Sequence, residues 1–291
     1  MVRLRAARDD NFRGVSTMTV INTNISAMRA ANASNSAAMM QGTAMQRLAT
    51  GKRINSAKDD AAGLAISTSM TSQITGMNQG IRNANDGISL AQTAEGALNE
   101  VTNMLQRVRE LAVQSASGTY QVADRNNMQQ EVDALQSQVS SVLANTAFNG
   151  VALFSTTAGT DKTFTIQAGA NAADAVTITS TAIDGTNLTA AALKVDTAAN
   201  ALTTMANVDL ALTDVAATNA SLGGGESMLQ SAINNLTSNA TNLSDARSRI
   251  MDTDYSAETT AMAKAQILSQ ASTAMIAQAN QAQQNVLRLL Q

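Results

Sequence analysis

The chain has 291 residues and a formal net charge of −3, with 44% hydrophobic but only 2% aromatic residues. It contains no histidine and no cysteine, which excludes thiol chemistry, the usual transition-metal ligands and the commonest general base. No basic excess indicates nucleic-acid binding, and no apolar run is long enough for membrane insertion. We therefore predict a protein that is not an enzyme, with no catalytic residue, no metal and no cofactor.

The first 18 residues carry four arginines but lack the apolar stretch of a signal peptide. We predict that residues 1–18 are a disordered extension, either a disordered tail or a stretch read from an upstream start codon with Met18 as the true start. Residues 19–50 place apolar side chains at helical spacing and predict a helix that includes Ile25, Met28 and Leu48.

A much longer helix is predicted over residues 57–117. Apolar residues alternate at spacings of four and three from Met70 to Ala91, and after one stutter the alternation continues from Ala94 to Ala112. This alternation is typical of a coiled-coil seam. A third helix, with one apolar stripe, is predicted over residues 121–144.

The pattern changes at FNGVALF (148–154), where Asn-Gly separates two short apolar runs. KTFTIQAG and DAVTITST then alternate with a period of two, so residues 148–190 are predicted to form a small β region with loops. Helix is predicted again over 191–221 and from residue 226. A weak or kinked helix is expected at GGGE (223–226), because each of the three glycines costs about 1 kcal/mol relative to alanine inside a helix.

A last helix is predicted over residues 256–290, with Leu268, Met275, Val286 and Leu289 among its apolar positions. The fold class predicted is mainly α: a long antiparallel coiled-coil helical bundle with a small β-hairpin region, in which the N- and C-terminal arms pair. The alanine-rich terminal helices bury little apolar area and are marginal alone. We expect them to be ordered by packing against other subunits.

The densest group of charges lies in LATGKRINSAKDDAAG (48–63). A phosphate-binding loop is excluded because position 46 is not glycine and Arg53, not serine or threonine, follows Lys52. The charges fit two helix ends instead: a terminating glycine, two cations at the negative end of a helix dipole, and a capped first turn with two acids. Ser56 is the predicted N-cap of the long helix. We predict an interdomain joint made of Gly51, Lys52, Arg53, Ser56, Asp59 and Asp60.

Long stretches of the chain resemble bacterial flagellin. INTNISAM, RLATGKRINSAKDDAAGLAIS and FNGVALF resemble its N-terminal region, and SDARSRIMDTDYSAETTAMAKAQILSQASTAMIAQANQAQQNVLRLL (244–290) resembles its C-terminal region. The resemblance covers residues 19–155 and 200–291. It implies a secreted structural subunit that self-assembles as a homopolymer into the extracellular flagellar filament used for swimming.

The resemblance also implies a domain organisation with three parts. Residues 19–56 with 254–291 correspond to a terminal-helix filament-core domain, and 57–154 with 191–253 to a long-helix outer-tube domain. Residues 155–190 correspond to a short variable β/loop region. Subunit packing is then expected at the terminal helices, through Ile25, Met28, Leu48, Leu268, Met275, Val286 and Leu289.

Further partners follow from the resemblance alone. They are a flagellar export chaperone that binds about 254–291, the type III export apparatus, hook-associated and cap proteins, and Toll-like receptor 5. The receptor would recognise a surface at Arg107, Leu111 and Glu131, unless these three are ordinary exposed helix residues. Two alternative functions stay open: a hook–filament junction protein, and a flagellin-like cell-surface protein that binds glycans.

Overall fold

The computed structural model describes residues 23–288, so the predicted extension 1–18 lies outside the described residues. The described chain is mainly helical, with 74% of residues in helix, which confirms the predicted fold class. Its elements are α1 (Ile25–Thr50), α2 (Ala61–Ala116), α3 (Val122–Asn145), β1 (Ala147–Phe148), β2 (Val151–Ala152), β3 (Lys162–Gln167), β4 (Ala175–Ser180), a 3-10 turn (Gly185–Leu188), α4 (Ala198–Met251) and α5 (Tyr255–Arg288).

The chain forms two compact units. One, which we call the terminal unit, contains the residues up to Leu64 and from Ile250 onward. The other, the central unit, is Ala65–Arg249. The boundaries fall at residues 64 and 250, eight and four positions from the predicted ones at 56 and 254.

The core of the central unit follows the predicted seam of α2. The seam residues Leu98, Val101, Leu105 and Val108 are completely buried. They pack in one cluster with apolar residues of α3 and α4, which run beside α2. An ion pair of 2.8 Å between Arg109 and Asp209 links α2 to α4 at the surface. The apolar spacing therefore predicted this core correctly.

The β region consists of two separate antiparallel pairs. β1 and β2 are joined by Asn149 and Gly150, both with positive φ, as the Asn-Gly signal predicted. β3 pairs with β4 in a register that runs from Lys162 opposite Ser180 to Gln167 opposite Ala175.

Helix α4 is continuous, so the gap predicted between residues 221 and 226 is wrong, whereas the weak or kinked helix predicted at GGGE (223–226) stays a prediction. Gly225 is buried, and a Cβ atom there would lie 3.1 Å from Cγ2 of Ile178 on β4. The flanking Leu222 and Leu229 are completely buried. Tertiary packing therefore offsets the low helix propensity of glycine, and Gly225 leaves room for strand β4. The helix also begins at Ala198, later than the predicted residue 191.

Candidate subunit-packing surface

In the terminal unit α1 and α5 pair antiparallel, as predicted. Near the start of α1, Asn24 donates its Nδ2 hydrogen to the carbonyl of Ala279 at 3.0 Å. Near its end, the Tyr255 hydroxyl donates to the carbonyl of Leu48 at 3.2 Å. Contacts at both ends fix the register of the two helices.

The layer between the two helices is built from small residues. α1 buries Ala30, Ala37 and Ala44, which lie seven residues apart. From α5, Ala265 and Ser272 are buried at the same spacing. Alanine contributes little apolar area, so the pairing of α1 with α5 is weakly stabilised within one copy of the chain.

Most of the large apolar side chains of α1 and α5 that the structure describes are exposed instead. Four of the residues predicted to mediate packing are exposed in the monomer: Ile25, Met28, Leu268 and Met275. Leu48 is partly buried beside Tyr255. The side chain of Val286, and Leu289 altogether, lie outside the described residues.

Sequence reasoning missed four further exposed residues of this kind as packing residues, Met39, Met40, Met45 and Ile267. A signal was present, because Met39 follows Met28 by eleven residues, or three helical turns. Met39, Met40 and Leu268 line one open groove of about 490 Å³ between α1 and α5. Contiguous exposed apolar surface of this kind indicates a site that another chain covers.

The groove also has charged walls. Arg47, Glu258 and Lys264 contribute to its lining. Nη1 of Arg47 lies 3.7 Å from Oε2 of Glu258, which is an ion pair but too long for a good hydrogen bond. Within the described residues, Nε of Arg47 is buried and has no hydrogen-bond partner.

The residues of the predicted joint lie within the terminal unit and are held by backbone hydrogen bonds. Gly51 ends α1 with a φ of 68°, the left-handed conformation that the sequence predicted. Residues 51–53 then pair with residues 251–253 of the returning chain. The backbone N–H of Arg53 donates to the carbonyl of Met251 at 2.6 Å, and that of Thr253 to the carbonyl of Gly51 at 3.1 Å.

Two details of the joint differ from expectation. The guanidinium of Arg53 donates to the carbonyl of Ile250 at 2.6 Å, so it binds the end of α4 rather than the end of α1. Ile54, which the sequence reasoning missed, is 1% exposed, and its Cδ1 would lie 2.7 Å from a Cβ atom at Gly63. Ile54 therefore holds the joint against the first turn of α2.

The prediction that Ser56 is the N-cap of α2 is wrong. The N-cap residue is Asp60. Oδ1 of Asp60 accepts a hydrogen bond from the backbone N–H of Gly63 at 2.9 Å. Asp59 closes a separate turn by accepting the backbone N–H groups of Asn55 and Ser56 at 3.1 and 3.0 Å. These two bonds lower the pKa of Asp59. This local turn, stabilised by side-chain to backbone bonds, competes with helix and delays its start to Ala61.

The residues expected to form a receptor surface lie in the central unit. Nε of Arg107 lies 2.8 Å from Oε1 of Glu131, and its Nη1 lies 3.0 Å from Oε2 of Glu110. These bonds, above all that to Glu131, raise the pKa of Arg107. Arg107 and Glu131 are about half exposed, whereas Leu111 is 2% exposed and belongs to the core. The expectation that all three are exposed is therefore wrong for Leu111.

Comparison with known families bears directly on this arrangement. A model of the bacterial flagellin N-terminal helical region matches residues 21–159, and one of the bacterial flagellin C-terminal helical region matches residues 205–290. The chain belongs to the bacterial flagellin family. Flagellins are structural proteins, and this one is a self-assembling subunit of the extracellular flagellar filament.

Individual relatives agree with this assignment. The flagellin is 34% identical to Flagellin D of Vibrio anguillarum over 372 aligned positions, which cover 93% of this chain and 99% of the relative. Flagellin B of Vibrio cholerae is 34% identical with the same coverage of each chain. A solved structure, that of Bacillus cereus flagellin, is 31% identical with a TM-score of 0.46 and covers 57% of this chain and 94% of its own.

The alternative functions and the question of a membrane-spanning helix can now be addressed. Because both ends match flagellin, a hook–filament junction protein or a glycan-binding surface protein is not favoured. Between residues 23 and 288, no helix has the length and hydropathy required to cross a membrane.

Proposed function

We propose that this flagellin, acting without catalysis, builds the filament through the α1–α5 pair, whose outward apolar surface is covered by neighbouring copies. One observation carries the proposal. The α1–α5 pair buries alanines and leaves most of its methionines, isoleucines and leucines exposed, the reverse of what a self-sufficient helical pair does.

Rough energetics explain why several neighbours are needed. Complete burial of one such side chain contributes about 1.5–3 kcal/mol, so covering one that is already half buried contributes about half as much. Eight side chains of α1 and α5 are of this kind: Ile25, Met28, Met39, Met40, Met45, Ile267, Leu268 and Met275. Together they would contribute about 6–12 kcal/mol, whereas association costs about 4–15 kcal/mol. A single contact between two copies is therefore marginal, which favours growth on a preformed filament end.

The domain roles are part of the same proposal. We assign residues 19–56 and 254–291 to the filament core, 57–154 and 191–253 to the outer tube, and 155–190 to the variable region. The two flagellin family models leave residues 160–204 unmatched, which supports a variable middle. The hydrogen-bonded joint at Gly51, Arg53 and Asp60 would connect core to tube.

We also propose the other partners that the resemblance implies. An export chaperone would cover the apolar face of α5 before the type III export apparatus secretes the chain, and hook-associated and cap proteins would contact the filament ends. Toll-like receptor 5 would engage Arg107 and Glu131, which are half exposed. Leu111 is buried and is expected to support these residues rather than to touch the receptor.

Seeded elongation tests the proposed function. The purified wild-type chain should elongate filament seeds, and a chain without residues 256–291 should not, while the helical circular dichroism of the central unit persists. Thr157→Ala, on an exposed loop of the central unit, is the control and should elongate normally. Elongation by the deletion variant at the wild-type rate would contradict the assignment of the core to α1 and α5.

A further inference from the structure

We infer that five exposed methionines of α1 and α5 form a modification site at which peroxide controls assembly, by converting their thioethers to sulfoxides in the free subunit. We call them the terminal methionines: Met28, Met39, Met40, Met45 and Met275. The inference rests on the proposed function and adds to it a class of modifying reagent and a reversible form of regulation.

The composition of the chain directs a two-electron oxidant to methionine. Peroxide reacts with cysteine thiolates and with methionine thioethers. The chain has no cysteine and 15 methionines, so no thiol competes for the oxidant. The positions of the methionines in the fold then decide which of them react.

The methionines that peroxide can reach are concentrated on the terminal helices. Among the methionines of residues 23–288, six are exposed, and five of these are the terminal methionines, which are 47–69% exposed. The sixth is Met228 on α4 of the central unit, whereas Met128 in the central core is buried. Because susceptibility to oxidation follows exposure, the terminal methionines are the main targets in the free subunit.

Each oxidation transfers one oxygen atom from peroxide to sulfur. The lone pair of the methionine Sδ attacks one oxygen of hydrogen peroxide, the S–O bond forms and the O–O bond breaks. The proton on the transferred oxygen goes to the departing hydroxide, which leaves as water. Sulfur loses two electrons and peroxide gains them, so the thioether and peroxide are the only reactants.

The folded monomer tolerates these sulfoxides. The layer between α1 and α5 is built from alanines such as Ala37, Ala44 and Ala265, which peroxide does not modify. Met39 and Met40 line the open groove between the two helices, where a sulfoxide oxygen stays hydrated. Oxidation therefore changes the exposed surface of α1 and α5 and leaves the alanine layer unchanged.

The sulfoxides act on assembly instead. The thioether is apolar and adapts its shape to a partner, whereas the sulfoxide is polar and accepts hydrogen bonds. A neighbouring copy that covers the oxidised surface removes water from these oxygens, and an acceptor buried without a donor is unfavourable. Free subunits are therefore vulnerable, while subunits already in a filament are protected because the neighbouring copies keep peroxide away.

The experiment measures how peroxide changes the critical concentration for seeded elongation. Purified wild-type monomer is treated with hydrogen peroxide, the excess is destroyed with catalase, and the critical concentration is compared with that of untreated monomer. We expect a rise of about tenfold or more, because several sulfoxide oxygens lose water without gaining donors. Mass spectrometry of the same samples locates the sulfoxides at the terminal methionines.

Two leucine variants assign the effect to particular methionines. Leucine replaces methionine with little change in volume and has no sulfur to oxidise. In the chain with all five terminal methionines changed to leucine, peroxide should alter the critical concentration by less than about twofold, whatever its untreated value. Met228→Leu is the matched control, because it removes the exposed methionine of the central unit, and peroxide should raise its critical concentration as in wild type.

Two results would overturn the inference. One is an unchanged critical concentration for wild-type monomer that carries sulfoxides at the terminal methionines. The other is a five-leucine variant that peroxide inhibits as strongly as wild type. If untreated wild type itself fails to elongate seeds, the proposed function fails instead, so the two failures are distinguishable.

Enzymatic repair of oxidised wild-type protein covers the case in which the five-leucine variant fails to fold or to elongate. Methionine sulfoxide reductases for both sulfoxide epimers, supplied with a dithiol reductant, should return the critical concentration to its untreated value. A critical concentration that stays high after mass spectrometry shows the thioethers restored would contradict the inference.

Discussion

In the central unit the completely buried side chains include Leu98, Leu105 and Leu222, whereas the buried layer of α1 in the terminal unit consists of Ala30, Ala37 and Ala44. Both units are made of antiparallel helices with regular apolar spacing. They differ in where the large side chains point. The central unit uses many of them for its own core, and α1 and α5 of the terminal unit leave most of theirs exposed, where other copies of a filament subunit can cover them.

The largest expected difference between the units is in the free energy of unfolding that is lost when one leucine of each is truncated to alanine. Leu105→Ala should lower the free energy of unfolding of the central unit by about 2–5 kcal/mol, because it leaves a cavity in a closed core. Leu268→Ala, in the groove and 39% exposed, should cost the monomer less than about 1 kcal/mol. Urea titrations of both variants test this, and equal losses would remove the contrast between the units.

A second prediction concerns assembly rather than folding. Replacing Met39 and Met40 together by glutamine should raise the critical concentration for elongation by about thirtyfold, because each loses about 1 kcal/mol of apolar burial and together they lose about 2 kcal/mol. Unfolding of the monomer should not change, since both are exposed. Met228→Gln in the central unit, 53% exposed, is the matched control. An effect of similar size in the control would mean that the groove has no special role.

Two glycines of α2 test how closely the β3–β4 turn packs against this helix in the central unit. A Cβ atom at Gly80 would lie 2.7 Å from the carbonyl oxygen of Ala168, beside the β3–β4 turn, whereas Gly96 has no atom that a Cβ would meet. Gly80→Ala should therefore destabilise the monomer by about 1–3 kcal/mol through overpacking. Gly96→Ala should stabilise it by up to about 1 kcal/mol through helix propensity. Thermal unfolding that ranks the two variants in the opposite order would contradict this close approach.

The smallest effect is expected at Glu226. Burial, followed by the nearby Glu95, raises the pKa of Glu226 above the usual 4.5. The folded state then holds the proton more tightly than the unfolded state, so stability falls as the pH rises from about 4.5 through the raised pKa. Glu226→Gln should be more stable than wild type at pH 7 by no more than about 1 kcal/mol. This advantage should vanish below pH 4; an advantage that persists there would show that charge is not its cause.

The spacing of residues along the chain predicted the structural features that depend on residues close in sequence. The α2 seam, the Asn-Gly turn and the end of α1 at Gly51 all follow from such patterns. Contacts between distant segments decided the rest. Gly225 fits α4 because Ile178 lies against it, and Leu111 is buried because α2 packs a second face into the central core.

At the candidate subunit-packing surface, too, the sequence predicted local features but not those that depend on contacts between distant segments. Helical spacing placed Ile25, Met28, Leu268 and Met275 on the terminal helices, but periodicity alone cannot show whether such residues face a partner helix or solvent. Ser56 and Asp60 are both suitable N-caps, and the choice between them depended on the turn that Asp59 closes. The unpaired Nε of Arg47 depends on the three-dimensional packing of α1, α5 and the joint, so it had no signal in the sequence.

Hydrogen exchange, compared between monomer and filament, tests most directly the claim that the terminal unit is completed by other copies. Amides of α1 and α5 should exchange quickly in the monomer and be strongly protected in the filament, while those of residues 98–112 in α2 should be protected in both. If α1 and α5 are already as protected in the monomer as residues 98–112, the terminal unit is stable alone and the account is contradicted.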